Sequence, residues 1–299
     1  MTYFTFLAWF IGIPLLLLVV LTWWDQRQGR HLPVTLQSWP IVYVILAHVV
    51  VAVLYTTPWD NYLVATRVWW YDPALVTGVV LGWVPIEEYT FFVAQTLLSS
   101  LWLLLLARRF HRQDEVSFLQ RVATGKQADA KRLRWGAMLT GSVLWLAAGM
   151  VLLSRWSPGT YLALELVWAL PPIIFQLWFG ADILWHYRRI VGWGIAIPTI
   201  YLAATDTIAI GAGTWTIDPA QSTGLFLGTL PVEEFIFFLV TNVLVVFGTI
   251  LVLAQASQYR VPTALQRRLA QLVRHPVNGP HPTANTLPQS PISTGDIGR

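Results

Sequence analysis

The 299 residues are 56% hydrophobic and 11% charged, with 17 tryptophans, against roughly 45–50% apolar and about 25% charged in soluble domains. Several uncharged runs of about 20 residues are long enough to cross a bilayer, so no large soluble domain fits in what remains. Zero cysteine excludes disulfides, thiolate metal sites and a cysteine nucleophile, and the net charge of +4 says less than its distribution.

Taken in chain order, apolar runs predict membrane spans at 3–24, 39–55, 79–106, 135–153, 161–183, 191–210 and 225–253. The first run has no basic residue before it and Arg27 and Arg30 after it. A secretory signal has the opposite polarity, so this run reads as a retained helix with its N-terminus outside. With seven spans, only Arg67 and Arg155 of the 19 Lys and Arg then fall outside the cytoplasmic segments, which is the bias that sets orientation. The basic loop 107–134 is expected to hold a short interfacial helix around Phe118. In the tail, Leu265, Leu269 and Leu272 with Arg267, Arg268 and Arg274 suggest a helix on the inner surface. From Pro276 onward the chain is rich in Pro, Thr and Ser and reads as disordered.

One internal repeat organises the chain. GVVLGWVPIEEYTFF at 78–92 returns as GLFLGTLPVEEFIFF at 224–238, and the pair Glu87 and Glu233 sets an offset of 146 residues. The same offset relates Asp60 to Asp206, Trp69 to Trp215 and Asp72-Pro73 to Asp218-Pro219. A single offset kept over so many positions marks a duplicated unit. The spans divide as three, one and three, and the fourth restores the orientation of the second copy. The expected fold is therefore an all-α membrane protein with seven transmembrane helices. It would consist of two parallel three-helix repeats joined by a linking helix, N-terminus outside and C-terminus cytoplasmic. The expected boundaries are 1–106 and 161–255 for the repeats, 107–160 for the basic loop and linking helix, and 256–299 for a partly disordered cytoplasmic tail. Parallel repeats are related by an axis near the membrane normal, and sites tend to form between them.

Each copy places two adjacent glutamates early in a long apolar run: Glu87 and Glu88, then Glu233 and Glu234. Ionisable groups inside a membrane are expensive and mark functional sites. Neighbours lie ~100° apart on a helix, so one of each pair can face the bundle centre while its partner braces it. His48 is the only basic side chain well within a predicted span. Carboxyls crowded in a low-dielectric site without a cation favour sharing protons, which makes all four candidate general acids or bases. Glu87 and Glu233, nearer the prolines, are the first choice as proton donors, and Glu88 and Glu234 are able to exchange roles with them. The competing reading is helix-start hydrogen bonding and interhelical packing. The third and seventh runs are too long for one straight crossing. Pro85 and Pro231 suggest either that the helix starts there after a folded-in segment or that it kinks.

Aromatic residues surround this feature: Trp69, Trp70, Trp83, Tyr89, Phe91 and Phe92 in one copy, and Trp215, Phe235, Phe237 and Phe238 in the other. Ring faces stabilise a cation without reacting with it, although an interfacial aromatic belt would use the same residues. Asp60 and Asp206, at the outer ends of the second and sixth spans, are candidate supports for the glutamates. Asp72 and Asp218 precede prolines and read as turn formers. Gly78 with Gly82, and Gly224 with Gly228, read as small-residue pairs that let helices approach. Glu165, Asp182 and His48 have no counterpart of like type and read as packing or interfacial residues. No DxxxD pair is present, so Mg²⁺-held diphosphate chemistry is disfavoured. No predicted span contains lysine, so a retinal Schiff base is excluded. No GxGxxG turn or P-loop occurs. No metal, flavin or nicotinamide cofactor and no nucleic-acid partner is expected.

With these residues assembled, Pro58-Trp59-Asp60-Asn61-Tyr62, Trp69-Trp70-Tyr71-Asp72-Pro73 and Pro85-Ile86-Glu87-Glu88-Tyr89 with Phe91-Phe92 resemble the membrane-integral lycopene cyclase family. That family occurs as small paired bacterial subunits and as fused archaeal and fungal proteins. The second copy resembles it through Asp206, Trp215, Asp218-Pro219 and Pro231 to Phe238, so residues 1–255 look like the fused form. No phytoene synthase domain is appended, and Asn61-Tyr62 and Trp83 become Thr207-Ile208 and Thr229 in the second copy. The resemblance implies acid-catalysed, non-redox closure of the ψ-ends of lycopene to β-rings, with γ-carotene and β-carotene as products. It implies that the motif glutamates act as acid and base and the aromatics as cation stabilisers. The expected partners are a carotenoid taken from the bilayer of the cytoplasmic membrane, membrane lipid, and other enzymes of the carotenoid pathway. Rival expectations are a carotenoid hydratase, an ε- or γ-cyclase of C50 carotenoids, and a proton-coupled carrier.

Overall fold

The computed structural model describes residues 1–110, 115–123 and 128–273. Thr2 caps α1 (Tyr3–Leu7), its hydroxyl accepting from the Thr5 amide at 3.4 Å. A π-helical turn, Ala8–Gly12, carries the chain into α2 (Ile13–Arg27). There follow α3 (Ile41–Ala65), β1 (Trp69–Tyr71), the hairpin β2 (Val80–Leu81) and β3 (Val84–Pro85), and α4 (Ile86–Arg109). Next come α5 (Glu115–Ala123), α6 (Ala128–Ser154), α7 (Thr160–His186) and α8 (Arg188–Gly211). The strand-and-hairpin order then returns as β4 (Trp215–Ile217), β5 (Phe226–Leu227) and β6 (Leu230–Pro231), followed by α9 (Val232–Leu253), α10 (Gln255–Gln258) and α11 (Thr263–Val273). Among the described residues, seven helices are long and apolar enough to cross a membrane.

Where the structure departs from the expected spans, proline and glycine explain why. The run at 79–106 becomes helical only at Ile86, and its first residues fold back as the β2–β3 hairpin. Pro85 and Pro231 sit at the N-cap positions of α4 and α9, where the missing amide hydrogen would have no helical partner anyway. Gly82 (φ +72°) and Gly228 (φ +67°) open the two-residue hairpin turns, and Gly78 and Gly224 also have positive φ. These four glycines therefore serve turns, which corrects their reading as helix-contact pairs. The helix expected at 39–55 continues past Pro58 to Ala65, which draws Asp60 and Asn61 into α3. Asp72 and Asp218 accept the amides of Ala74 and Ala220 at 2.9 and 3.0 Å, as turn formers do. The Gln221 side chain and the Ala220 amide hold the Asp218 carboxyl below the usual carboxylate range.

The helix around Phe118 forms as α5. Its phenylalanine is buried and lies parallel to His186 at 3.9 Å, so the segment packs onto the bundle. The tail helix forms as α11, and the segment expected to be disordered from Pro276 onward lies outside the described residues.

The most buried of the seven spans is α4, which packs against α2, α3, α8 and α9. In turn, α9 packs against α3, α7 and α8. At one end of the bundle Asp25 pairs with Arg109 (3.0 Å) and Arg30 (3.2 Å), and Asp182 pairs with Arg260 (2.5 Å). At the other end, β1 and β4 pair antiparallel, with Trp69 opposite Ile217, Trp70 opposite Thr216 and Tyr71 opposite Trp215. The register is centred on Trp70 and Thr216, which correspond at the 146-residue offset. Bonds around it are reciprocal: the Asp72 amide donates to Thr214 O (3.2 Å) and the Asp218 amide to Val68 O (2.8 Å).

Candidate functional site

The first turn of a helix leaves backbone N–H groups without helical partners and carries the positive end of the helix dipole. Carboxyls tolerate burial there better than elsewhere in an apolar bundle, and all four motif glutamates occupy the first turns of α4 and α9. Each pair splits in the same way. Glu87 turns back to its own hairpin, where Oε1 accepts the Thr77 amide at 2.6 Å. Glu233 does likewise, accepting the Thr223 amide at 2.6 Å and the Thr223 hydroxyl at 2.7 Å. Glu88 and Glu234 instead point inward, where each receives a phenol: Tyr3 donates to Glu88, and Tyr161 donates to Glu234 Oε1 at 2.6 Å.

Glu88 and Glu234 line one shared cavity of about 40 Å³. Its wall carries Asp206, Tyr71 and the rings of Trp69, Trp215, Phe91, Phe237 and Phe238, and no lysine, arginine or histidine. Asp60 is fully buried and close enough to Glu88 to interact with it electrostatically. One Asp206 oxygen has no protein hydrogen-bond partner among the described residues, and the Trp69 indole stands beside the Asp60 carboxyl. Burial, and then the Asp60 and Glu88 carboxyls, push the Tyr71 phenol well above its ordinary range, so it remains a neutral donor. Among the described residues, no three His, Asp or Glu side chains are arranged to hold a metal ion.

Of the expected aromatics, Trp70, Trp83, Tyr89, Phe92 and Phe235 do not line this cavity. Trp83 is 67% exposed at the hairpin turn, where its amide donates to Asn61 Oδ1 at 2.7 Å. Tyr89 clamps the same hairpin, its hydroxyl donating to Leu81 O at 3.0 Å and accepting from Asn61 Nδ2 at 3.1 Å. Phe235 is half-buried and does not line the cavity. Phe92 lines a second, larger cavity described below. The second copy lacks Asn61, Trp83 and Tyr89, so this latch belongs to the first hairpin alone.

Sequence reasoning did not single out Tyr3, Tyr71 or Tyr161 for this site, and it read Glu165 as a packing or interfacial residue. Glu165 on α7 is completely buried, with the Tyr161 hydroxyl beside it, and interacts electrostatically with Glu234 and Glu233. Tyr3 and Tyr161 stand 158 residues apart, which is why the 146-residue comparison passed over them. Their amides nevertheless bond to Leu75 O (2.8 Å) and Gln221 O (3.0 Å), residues that do correspond at 146. The Tyr55 hydroxyl donates to Trp168 O and the Tyr201 hydroxyl to Phe10 O, both at 2.8 Å, and these acceptors again differ by 158. The visible signal was the Thr-Tyr step that opens both α1 and α7.

Comparison with known proteins bears on this site. Residues 1–106 and 139–252 match the lycopene cyclase family. The chain is 37% identical over 252 residues to a lycopene beta-cyclase of Halobacterium salinarum, covering 84% of this chain and 95% of that protein. It is 35% identical over 218 residues to a bifunctional lycopene cyclase/phytoene synthase of Gibberella fujikuroi, and 37% identical over 215 residues to the same kind of protein in Leptosphaeria maculans. The matches cover 70% and 69% of this chain but only 34% and 35% of the fungal proteins. No solved structure matches.

Proposed function

The chain belongs to the lycopene cyclase family, and on that premise we propose how the cavity between α4 and α9 performs the reaction. The protein is a lycopene beta-cyclase of carotenoid biosynthesis, a multi-pass membrane enzyme. Ring closure of a ψ-end begins when a carboxylic acid adds a proton at C2 of the terminal alkene, leaving a tertiary cation at C1. The C5=C6 bond attacks C1, and a base removes the C6 proton to leave the β-ring. The proton count is unchanged and no electrons are transferred.

Glu88 and Glu234 are the reacting pair. The observation that carries this assignment is that these two carboxyls, from different copies of the motif, face one cavity walled by aromatic rings. Glu234 is the acid, since the Glu88, Glu233 and Glu165 carboxyls surround it and, among the described residues, no cation lines the cavity. Glu88 is the base, since the neutral phenols of Tyr3 and Tyr71 lie beside it to support a negative charge. Trp69, Trp215, Phe91, Phe237 and Phe238 offer ring faces to the cation, worth ~0.5–2 kcal/mol each. They also leave little space for water, which would otherwise trap the cation as an alcohol. Glu87 and Glu233 hold the hairpins that set the first turns, and Asp60 and Asp206 complete the carboxyl network.

Two copies of one unit, 1–106 and 161–255, related by an axis near the membrane normal, account for the shared cavity. The centred β1–β4 register and the reciprocal bonds around it support this. We place the chain in the cytoplasmic membrane; the basic ends of its spans favour the cytoplasmic side, which leaves the hairpin end outside. Expression in lycopene-accumulating cells tests the whole reading. The expected result is γ-carotene and β-carotene; unchanged lycopene with the protein stably inserted would overturn it.

A further inference from the structure

A cavity of about 40 Å³ has room for a few waters, at ~10–15 Å³ each, and none for a long polyene. The rest of the substrate must lie elsewhere. A furrow of about 360 Å³ begins at Phe237, whose ring also walls the Glu88–Glu234 cavity. It follows one face of α9 through Thr241, Leu244 and Val245 to Val252. That is fifteen residues, or ~22 Å at 1.5 Å each. Its other walls are α3, α4 and α7, and it opens sideways along Ala47 and Val51, both exposed on the surface of the bundle.

The furrow's polar side chains are mostly engaged with protein. Gln95 donates to Thr241 (2.7 Å), Gln176 to Leu244 O (3.0 Å) and Thr96 to Phe92 O (2.8 Å), while His48 Nδ1 lies 2.7 Å from Val44 O. The surface left to a guest is largely hydrocarbon.

At the 146-residue offset two positions of this half differ sharply in size from their counterparts. Ala47 corresponds to Trp193 and Gly248 to Trp102. A side chain at Gly248 would run into His48 and Gln176. In the other half the two indole-bearing residues meet, Trp102 Nε1 donating to Trp193 O at 3.0 Å. Small residues stand in one half where tryptophans stand at the corresponding positions of the other.

We propose that the furrow between α3, α7 and α9 is the binding groove for the linear polyene of the carotenoid. The chain enters from the lipid past Ala47 and Val51, and Phe237 swings to let the leading end group reach Glu234 and Glu88. This rests on the cyclase reading above. One groove serves one end at a time, so a substrate with two ends must leave and re-enter reversed.

The test uses the full-length protein in lipid discs with lycopene as probe, read by induced circular dichroism of the polyene and by turnover. Ala47→Trp and, at the exposed mouth, Val51→Trp should each abolish the induced signal. Each should raise KM for lycopene about tenfold or more with little change in kcat, as expected when uniform binding is lost. Leu46→Trp, exposed on the face of α3 turned away from the furrow, should bind and turn over normally. The Glu88→Gln/Glu234→Gln double variant should give the full signal without product. Normal binding and turnover by both groove variants would overturn the groove while leaving the cyclase reading intact, and so would equal loss in Leu46→Trp. A full signal in a wild-type protein that forms no ring would sink the cyclase reading and leave the groove standing.

Discussion

Gln95 on α4 donates from Nε2 to Thr241 Oγ1 on α9 at 2.7 Å, and the two residues stand 146 positions apart. Corresponding positions of the two copies thus touch each other directly in the middle of the bundle. Trp70 and Thr216 do the same at its end, in the centre of the β1–β4 register. The two contacts define a line, and Glu88 and Glu234 are brought together beside it.

The glutamates separate chemistry from architecture. Glutamine keeps size and hydrogen-bonding capacity but cannot supply or accept the catalytic proton. Glu88→Gln and Glu234→Gln should each lower kcat by ~10²–10⁴-fold, the usual worth of a general acid or base, while inserting normally. Glu87→Gln and Glu233→Gln retain an oxygen to accept the Thr77 and Thr223 amides and should stay within about tenfold of wild type, losing ~1 kcal/mol of stability. Wild-type turnover in both Glu88→Gln and Glu234→Gln would refute the acid–base pair.

Tyr3→Phe and Tyr161→Phe remove one O–H each from Glu88 and Glu234. A hydrogen bond to a charged group is worth ~1.5–3 kcal/mol, so a base-side loss should cost roughly ten- to a hundredfold in kcat. Tyr3→Phe should therefore slow turnover more than Tyr161→Phe. The reverse order in steady-state assays would exchange the acid and base roles.

The two hairpin turns make a stability comparison. Gly82→Ala forces a side chain into positive φ and pushes it against Asn61, which holds the turn; Gly228→Ala meets open space. The φ term alone costs ~1–2 kcal/mol. Thermal unfolding in detergent should therefore show Gly82→Ala as clearly the more damaging of the two, and equal losses would mean that Asn61 yields freely.

Thr241→Val deletes the hydroxyl that receives the Gln95 amide. Interhelical hydrogen bonds in membranes average ~0.6 kcal/mol and reach ~1.7. A loss of that size in steric-trap or denaturant unfolding is expected, with kcat unchanged. A large loss of kcat would place this pair in the reaction instead.

Much of the bundle was legible in the sequence, because lipid demands long apolar helices and these leave an unmistakable pattern. Seven runs became seven long helices, although α3 outran its predicted end by ten residues because Pro58 and Asp60 look like a stop. The motif glutamates were visible because a carboxyl in an apolar run is rare. Which member of each pair faces the cavity was not visible. Glu87 precedes Glu88 by one residue, and only the hairpin folded over Thr77 decides which way each turns. Tyr3 and Tyr161 escaped notice because the offset of 146 holds only from the second helix of each copy onward, while the first helices are offset by 158: the connection from α2 to α3 is longer than the one from α7 to α8. Glu165, having no like partner in the first copy, could not be found by any repeat.

The β1–β4 ribbon has a consequence for either half taken alone. Each half supplies one strand and two of the four carboxyls, so an isolated half would present an open strand edge over half a cavity. That edge is self-complementary. A register centred on residue 70 or residue 216 lets two identical strands pair isologously, as two-fold dimers do. One half closing on itself as a homodimer would carry two equivalent pairs of glutamates and two identical grooves. In one chain whose halves differ, each position serves one side only, and Ala47 stands where the other half has Trp193 without either being a compromise.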